Sequence, residues 1–133
     1  MALPKYVRIG EAGARDGLQN EKQTVPTAVK VELIERLADA GLTDIEAGSF
    51  VSPKWVPQMA DSDEVIKRLR RKKGVLYAAL VPNMQGYARA QAAKVDEIGI
   101  FTAASESFAQ RNINCSIDES IERFRPVVEA AKK

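Results

Sequence analysis

Arg15 and Asp16, adjacent and set between Gly13 and Gly17, form the first pairing in the chain with a chemical use. A carboxylate there can ligate a hard divalent cation through oxygen, and a fixed guanidinium beside it can oppose charge on a developing enolate oxygen. By itself the dipeptide reads more simply as a surface ion pair worth under ~1 kcal/mol. Its company is what raises it. Glu11, Gln19 and Asn20 share its segment, Glu46 and Ser49 sit at the end of a second apolar stretch, and Asn83 follows a third. Ser105, Glu106, Asn112 and Asn114 follow a fourth. The chain has no histidine and one cysteine, so it cannot build a Ser-His-Asp triad, a Cys-His pair or a His-rich zinc site alone.

The elements that must position these residues alternate along the 133 positions. Tyr6–Ile9 alternates apolar and polar and stops at Gly10, which predicts a first strand; Glu11–Thr24 then reads as a long polar loop. Val29, Leu33 and Leu37 recur at helical spacing with Ile34 and Ala38 beside them, after Pro26 and before Gly41. Thr43–Ala47 predicts a second strand, followed by a proline-rich loop with Trp55. Asp61-Ser-Asp-Glu64 has the spacing of a capping box for a helix ending in Arg70-Arg-Lys-Lys73. Cations at that end suit the helix dipole, so the basic run needs no nucleic acid to explain it.

Val75–Val81 is apolar throughout, as in a strand buried on both faces. Met84–Ala93 predicts a helix and Glu97–Phe101 a fourth strand. After a loop through Cys115, Ser116-x-x-Glu119 is a second capping box. Ile117, Ile121, Phe124, Val128 and Ala131 then form the expected buried stripe of the last helix. Four consecutive βα units imply a parallel sheet, either doubly wound or half of a (β/α)8 barrel. In both, the long polar loops after the strands lie at the carboxyl edge, where such folds place their sites.

Composition narrows the partners. A net charge of +2 gives no reason to expect nucleic acid or an anionic membrane surface. No apolar run approaches the ~18–20 residues that span a bilayer, and the amino-terminal residues lack the pattern of a signal or transit peptide. One cysteine makes no internal disulfide, so a reducing, cytoplasmic setting is expected.

Three segments carry a resemblance to a known family. Glu11-Ala-Gly-Ala-Arg-Asp-Gly-Leu-Gln-Asn20 resembles the first-strand motif of the hydroxymethylglutaryl-CoA lyases, usually E-V-G-P-R-D-G-L-Q-N. Ser49-Phe-Val-Ser-Pro-Lys-Trp-Val-Pro-Gln-Met59 is similar to their second loop over its full length. Ala104-Ser-Glu-Ser-Phe108 and Arg111-Asn-Ile-Asn-Cys-Ser116 resemble their fourth. The likeness runs from about Leu3 to the end, and the long second loop sets it apart from related condensing enzymes and aldolases that share only an R-D-G-type first strand.

The resemblance implies a metal-dependent lyase on a (β/α)8 barrel that splits 3-hydroxy-3-methylglutaryl-CoA into acetyl-CoA and acetoacetate. It implies a single partial catalytic domain over residues 1–133, with an acyl-CoA as substrate. Asp16 would bind Mg²⁺ or Mn²⁺, Arg15 would stabilise the enolate, and Glu46 and Glu11 would hold the catalytic geometry. Gln19, Asn83, Ser105 and Glu106 would line the substrate pocket. Such a barrel needs ~250 residues. The family's remaining metal ligands and its acid/base cysteine belong to later strands, so these 133 residues are expected to be inactive alone. Open sheet edges would favour self-association into a homo-oligomer.

Overall fold

The computed structural model describes residues 3–132. Three parallel strands, β1 (Asp44–Ser49), β2 (Leu76–Leu80) and β3 (Glu97–Gly99), form a sheet in that order. Five α-helices accompany them: α1 (Thr27–Asp39), α2 (Ser62–Arg68), α3 (Met84–Ala93), α4 (Glu106–Ile113) and α5 (Ile117–Ala131). The alternation of side chains explains the layering. Ile45 and Ala47 of β1, with Tyr77 and Ala79 of β2 and Val81 just beyond it, join one core with Ile34, Val65, Ile66, Ala90 and Val127 from the helices. Successive helices also touch one another, α1 on α2, α2 on α3 and α3 on α5. That single helical layer on one face of a parallel sheet is the arrangement of a barrel wall, and the chain is α/β of the half-barrel kind.

The expected first strand is reduced to one bridge. Glu11 pairs with Ile45, its N–H donating to the Asp44 carbonyl at 2.8 Å and its carbonyl accepting from Glu46 N–H at 2.8 Å. Tyr6, Val7 and Ile9 form no ladder and are 62–82% exposed. Alternating apolar side chains hold a strand only where something covers one face, and among the described residues nothing covers these. Arg8 still ties the segment across the amino edge of the sheet, donating to Asp44 at 2.5 Å and to Glu97 at 2.9 Å.

Helix α1 stops as expected at Gly41, whose φ of +100° suits a residue without Cβ. Its buried face, however, is Lys30, Ile34 and Ala38, one residue round from the expected stripe; Val29 is exposed. At α2 the box at Asp61 does not form. The Asp61 carboxylate instead accepts from Thr27 Oγ1 at 2.7 Å and Lys30 Nζ at 2.6 Å, an ion-paired site that outcompetes an exposed cap. The helix also ends at Arg68, so Arg70–Lys73 lies beyond it. Arg70 grips Glu35, Arg71 pairs with Asp96 and stacks on the Tyr77 ring at 5.2 Å, and Lys72 reaches Asp39 at 3.2 Å. Ion pairs, not the helix dipole, take up that charge.

In the last third, α4 forms where only a loop was expected, and β3 stops at Gly99 before Ile100 and Phe101. The Ser116–Glu119 capping box is present in both directions. The buried face of α5 is Ser120, Phe124 and Val127, whereas Ile121 is half exposed. Ser120 can face inward because its hydroxyl bonds Thr102 Oγ1 at 2.5 Å and the Ile117 carbonyl at 2.6 Å. Ile121 and Val128 line an open groove of about 460 Å³ with Ile100, Phe101 and Phe124.

Candidate active site

The Arg15–Asp16 pair is carried by a five-residue π-helical turn, Gly13–Gly17, at the carboxyl edge of the sheet. One carbonyl organises it: Ala12 O accepts from the N–H groups of Arg15 (3.1 Å), Asp16 (2.7 Å) and Gly17 (3.4 Å). Ala14 is buried and pins the turn to the core. The Glu11 carboxylate accepts from Gly13 N–H at 2.5 Å, and Asn20 Nδ2 donates to Asp16 O at 2.8 Å, so both ends are fastened by side chains. A Cβ at residue 13 would stand 2.7 Å from Glu11 Oε1, so any other residue there makes the Glu11 carboxylate move.

The turn brings three charged groups together. Arg15 Nη1 donates to Asp16 Oδ1 at 2.8 Å, and Arg15 Nη2 pairs with Glu46 Oε2 at 2.8 Å. Arg15 and Glu46 are mostly sheltered, with side chains 17% and 20% exposed, while Asp16 is 63% exposed. Arg15 Nε is buried and has no hydrogen-bond partner among the described residues. A guanidinium fixed between two carboxylates is a pre-oriented cation, able to stabilise negative charge on oxygen without reorganising. Glu46 reaches over the sheet toward Gly99, whose position for a Cβ lies 3.9 Å from Glu46 Oε1.

A divalent cation asks for more than this. Hard cations take six or more oxygens, and among the described residues no group of three or more His, Cys, Asp or Glu side chains is gathered. Asp16 offers one accessible carboxylate, so these residues do not form a metal site by themselves.

The other expected residues divide. Glu11 belongs with the Arg15 group through its hold on Gly13. Gln19 lines a separate polar cleft of about 290 Å³ with Asn20, Lys22, Trp55 and Gln58. Asn83 caps α3, its Oδ1 accepting from Gly86 N–H at 2.9 Å. Ser105 sits at the start of α4 with its Oγ 3.5 Å from that of Ser107. Glu106 accepts from Ile117 N–H at 3.2 Å and joins α4 to α5. Asn83 and Ser105 sit at the starts of their own helices and Glu106 bonds the start of the next, and among the described residues no hydrogen bond or ion pair joins the three to Arg15. Two residues not expected at a site, Lys30 and Gln58, are buried where the first two loops meet. The signal for Lys30 was its place four residues before Ile34 on the buried row. Gln58 left none.

The model of the HMGL-like family matches residues 6–133. The chain belongs to the HMGL-like family. A 3-hydroxy-3-isohexenylglutaryl-CoA/hydroxy-methylglutaryl-CoA lyase of Pseudomonas aeruginosa is 59% identical over all of this chain and 44% of its own length. The crystal structure of a hydroxymethylglutaryl-CoA lyase from Pseudomonas aeruginosa superposes with a TM-score of 0.93 at 59% identity, covering 99% of this chain and 44% of that one. An HMG-CoA lyase of Acinetobacter baumannii, solved in complex with coenzyme A and 3-methylmalate, gives a TM-score of 0.88 at 39% identity over 91% of this chain and 40% of that one. The chain therefore spans under half the length of these relatives, as the amino-terminal half of their fold. Curated relatives in the family carry both cytoplasmic and mitochondrial names. Among the described residues no helix is long and apolar enough to cross a membrane.

Proposed function

We propose that these residues are the amino-terminal half of a lyase site that cleaves 3-hydroxy-3-methylglutaryl-CoA to acetyl-CoA and acetoacetate. The observation that carries the reading is Arg15, held at 2.8 Å from both Asp16 and Glu46 on a turn at the carboxyl edge. When the carbon–carbon bond breaks, negative charge collects on the oxygen of the departing acetyl thioester. Arg15 opposes that charge, and Glu46 keeps the guanidinium in place. Glu11 holds the turn by its bond to Gly13 N–H. Asp16 would supply one oxygen to a divalent cation, Mg²⁺ or Mn²⁺, which would polarise the substrate oxygens when bound. Gln19, Asn83, Ser105 and Glu106 belong to the acyl-CoA pocket, and the compartment is cytoplasmic.

Two assays test this. The 133 residues replace the matched segment of the Pseudomonas aeruginosa relative, and the chimera is assayed for thioester cleavage. It is expected to be active, and Arg15→Gln to lower kcat by about 10²–10³-fold, the usual cost of losing one oxyanion-stabilising group. An inactive chimera, or one indifferent to Arg15→Gln, counts against the reading. The 133-residue chain alone is expected to show no turnover, because one carboxylate does not make the cation site. Turnover by it, abolished by EDTA, would contradict that part.

A further reading concerns partners. The open groove over Ile100, Phe101 and Ile121 and the uncovered Val7 and Ile9 favour association of two copies through their sheet edges.

A further inference from the structure

Gln58 lies in the short 3-10 turn Pro57–Met59 and is 7% exposed. Its carboxamide makes three bonds to main chain more than thirty residues away. Oε1 accepts from Val25 N–H at 2.9 Å, and Nε2 donates to Gln23 O at 2.8 Å and to Glu21 O at 3.3 Å. The segment it holds has no regular structure, and Glu21–Thr24 is exposed throughout. Little apolar burial fixes that segment, so the carboxamide is what does.

Gln58 is itself held from below. Lys30, 3% exposed, donates through Nζ to the Gln58 carbonyl and to Asp61 Oδ1. From there the bonds run on to the site. Ser62 Oγ donates to the Met59 carbonyl at 2.8 Å and accepts from Ser49 N–H at 3.0 Å, at the end of the strand bearing Glu46. On the other side the held segment continues into Asn20, which bonds Asp16 O at 2.8 Å. The Arg15 turn and Glu46 are thus joined three times: by their own ion pair, by Glu11, whose carbonyl accepts from Glu46 N–H and whose carboxylate holds Gly13, and through Gln58 at the far end of the loop. A buried polar network of this kind adds little net stability over well-packed apolar groups, but it specifies one geometry.

We propose that Gln58, seated on the Lys30–Asp61 pair, is a positioning residue that holds the first loop, and with it Arg15 and Asp16, at its distance from Glu46. The functional weight of the inference rests on the lyase reading of Arg15 and Asp16, whereas its test reads positions and not turnover. The ¹⁵N-labelled chain is compared with Gln58→Glu, which keeps the shape and loses both Nε2 donors, and with Lys30→Met. In both, amide exchange at Val25 and across Gly13–Asn20 is expected to rise about tenfold, the factor one lost hydrogen bond gives. The Arg15 Nε–H resonance, a reporter of the buried guanidinium, is expected to shift, while amides of β1 and β2 keep their protection. An unmoved Arg15 resonance with unchanged exchange over Gly13–Asn20 overturns the proposal. So does a uniform rise across the sheet, which marks Gln58 as contributing only global stability. Displaced signals beside an inactive chimera leave the positioning role standing and remove the lyase reading.

Discussion

Arg15, Asp16 and Glu46 show how a residue can be legible in type and illegible in arrangement. Their chemistry could be read from the R-D-G turn and a glutamate at a strand end, but the 2.8 Å contacts depend on a π turn that no local pattern announces. Gly13 is the sharpest probe of that turn. In Gly13→Ala the new Cβ meets Glu11 Oε1 at 2.7 Å, so the Glu11 carboxylate has to shift and its bond from Gly13 N–H is weakened. A loss of about 0.5–1.5 kcal/mol in urea unfolding is expected, the net worth of one hydrogen bond; a change within about 0.3 kcal/mol would show that the carboxylate swings aside freely. Lys30 and Gln58 were not legible at this scale. Lysine belongs on surfaces by default, and only the folded contacts reveal that Asp61 and a carbonyl receive its ammonium in the interior.

At the scale of elements, the two capping boxes make a controlled comparison. Both have the right spacing, yet only Ser116–Glu119 forms; Asp61 is taken by Thr27 and Lys30, partners 34 and 31 residues away. Local pattern is therefore reliable only where no distant group competes. The working box makes a pH prediction. The bond from Ser116 N–H holds the Glu119 carboxyl below its ordinary value near 4.5. A lowered folded-state pKa means that the contribution is present above the ordinary value and is lost as pH falls through the depressed one. In an acid titration the Ser116 amide resonance should move in that window, and Glu119→Gln should remove the movement. Persistence of the movement in Glu119→Gln would assign it to another acid. The same logic exposes the missed α4, a short helix of polar overall sequence that buries only Ala109 and is stapled to α5 by Glu106.

For the whole molecule, the uncovered surfaces decide behaviour. Val7 and Ile9 at one end and Ile100, Phe101 and Ile121 at the other are large apolar groups left in water by the described residues. Sedimentation of the 133-residue chain should show concentration-dependent association, weakened by Phe101→Glu with Ile121→Glu; a stable monomer across the range would rule out pairing through these edges. The sequence by itself determined the alternation of strand and helix, the parallel α/β class, the stop at Gly41, the Ser116 cap and the residue types at the carboxyl edge, because each depends on groups within a few positions of one another. Tertiary structure alone decided that Tyr6–Ile9 forms no ladder, that Lys30 goes inside, that Asp61 abandons its helix, and that Arg15 lies between Asp16 and Glu46. Each of these is a contest between a local preference and a partner tens of residues away, and its outcome rests on desolvation and ion pairing that exist only once the chain has folded.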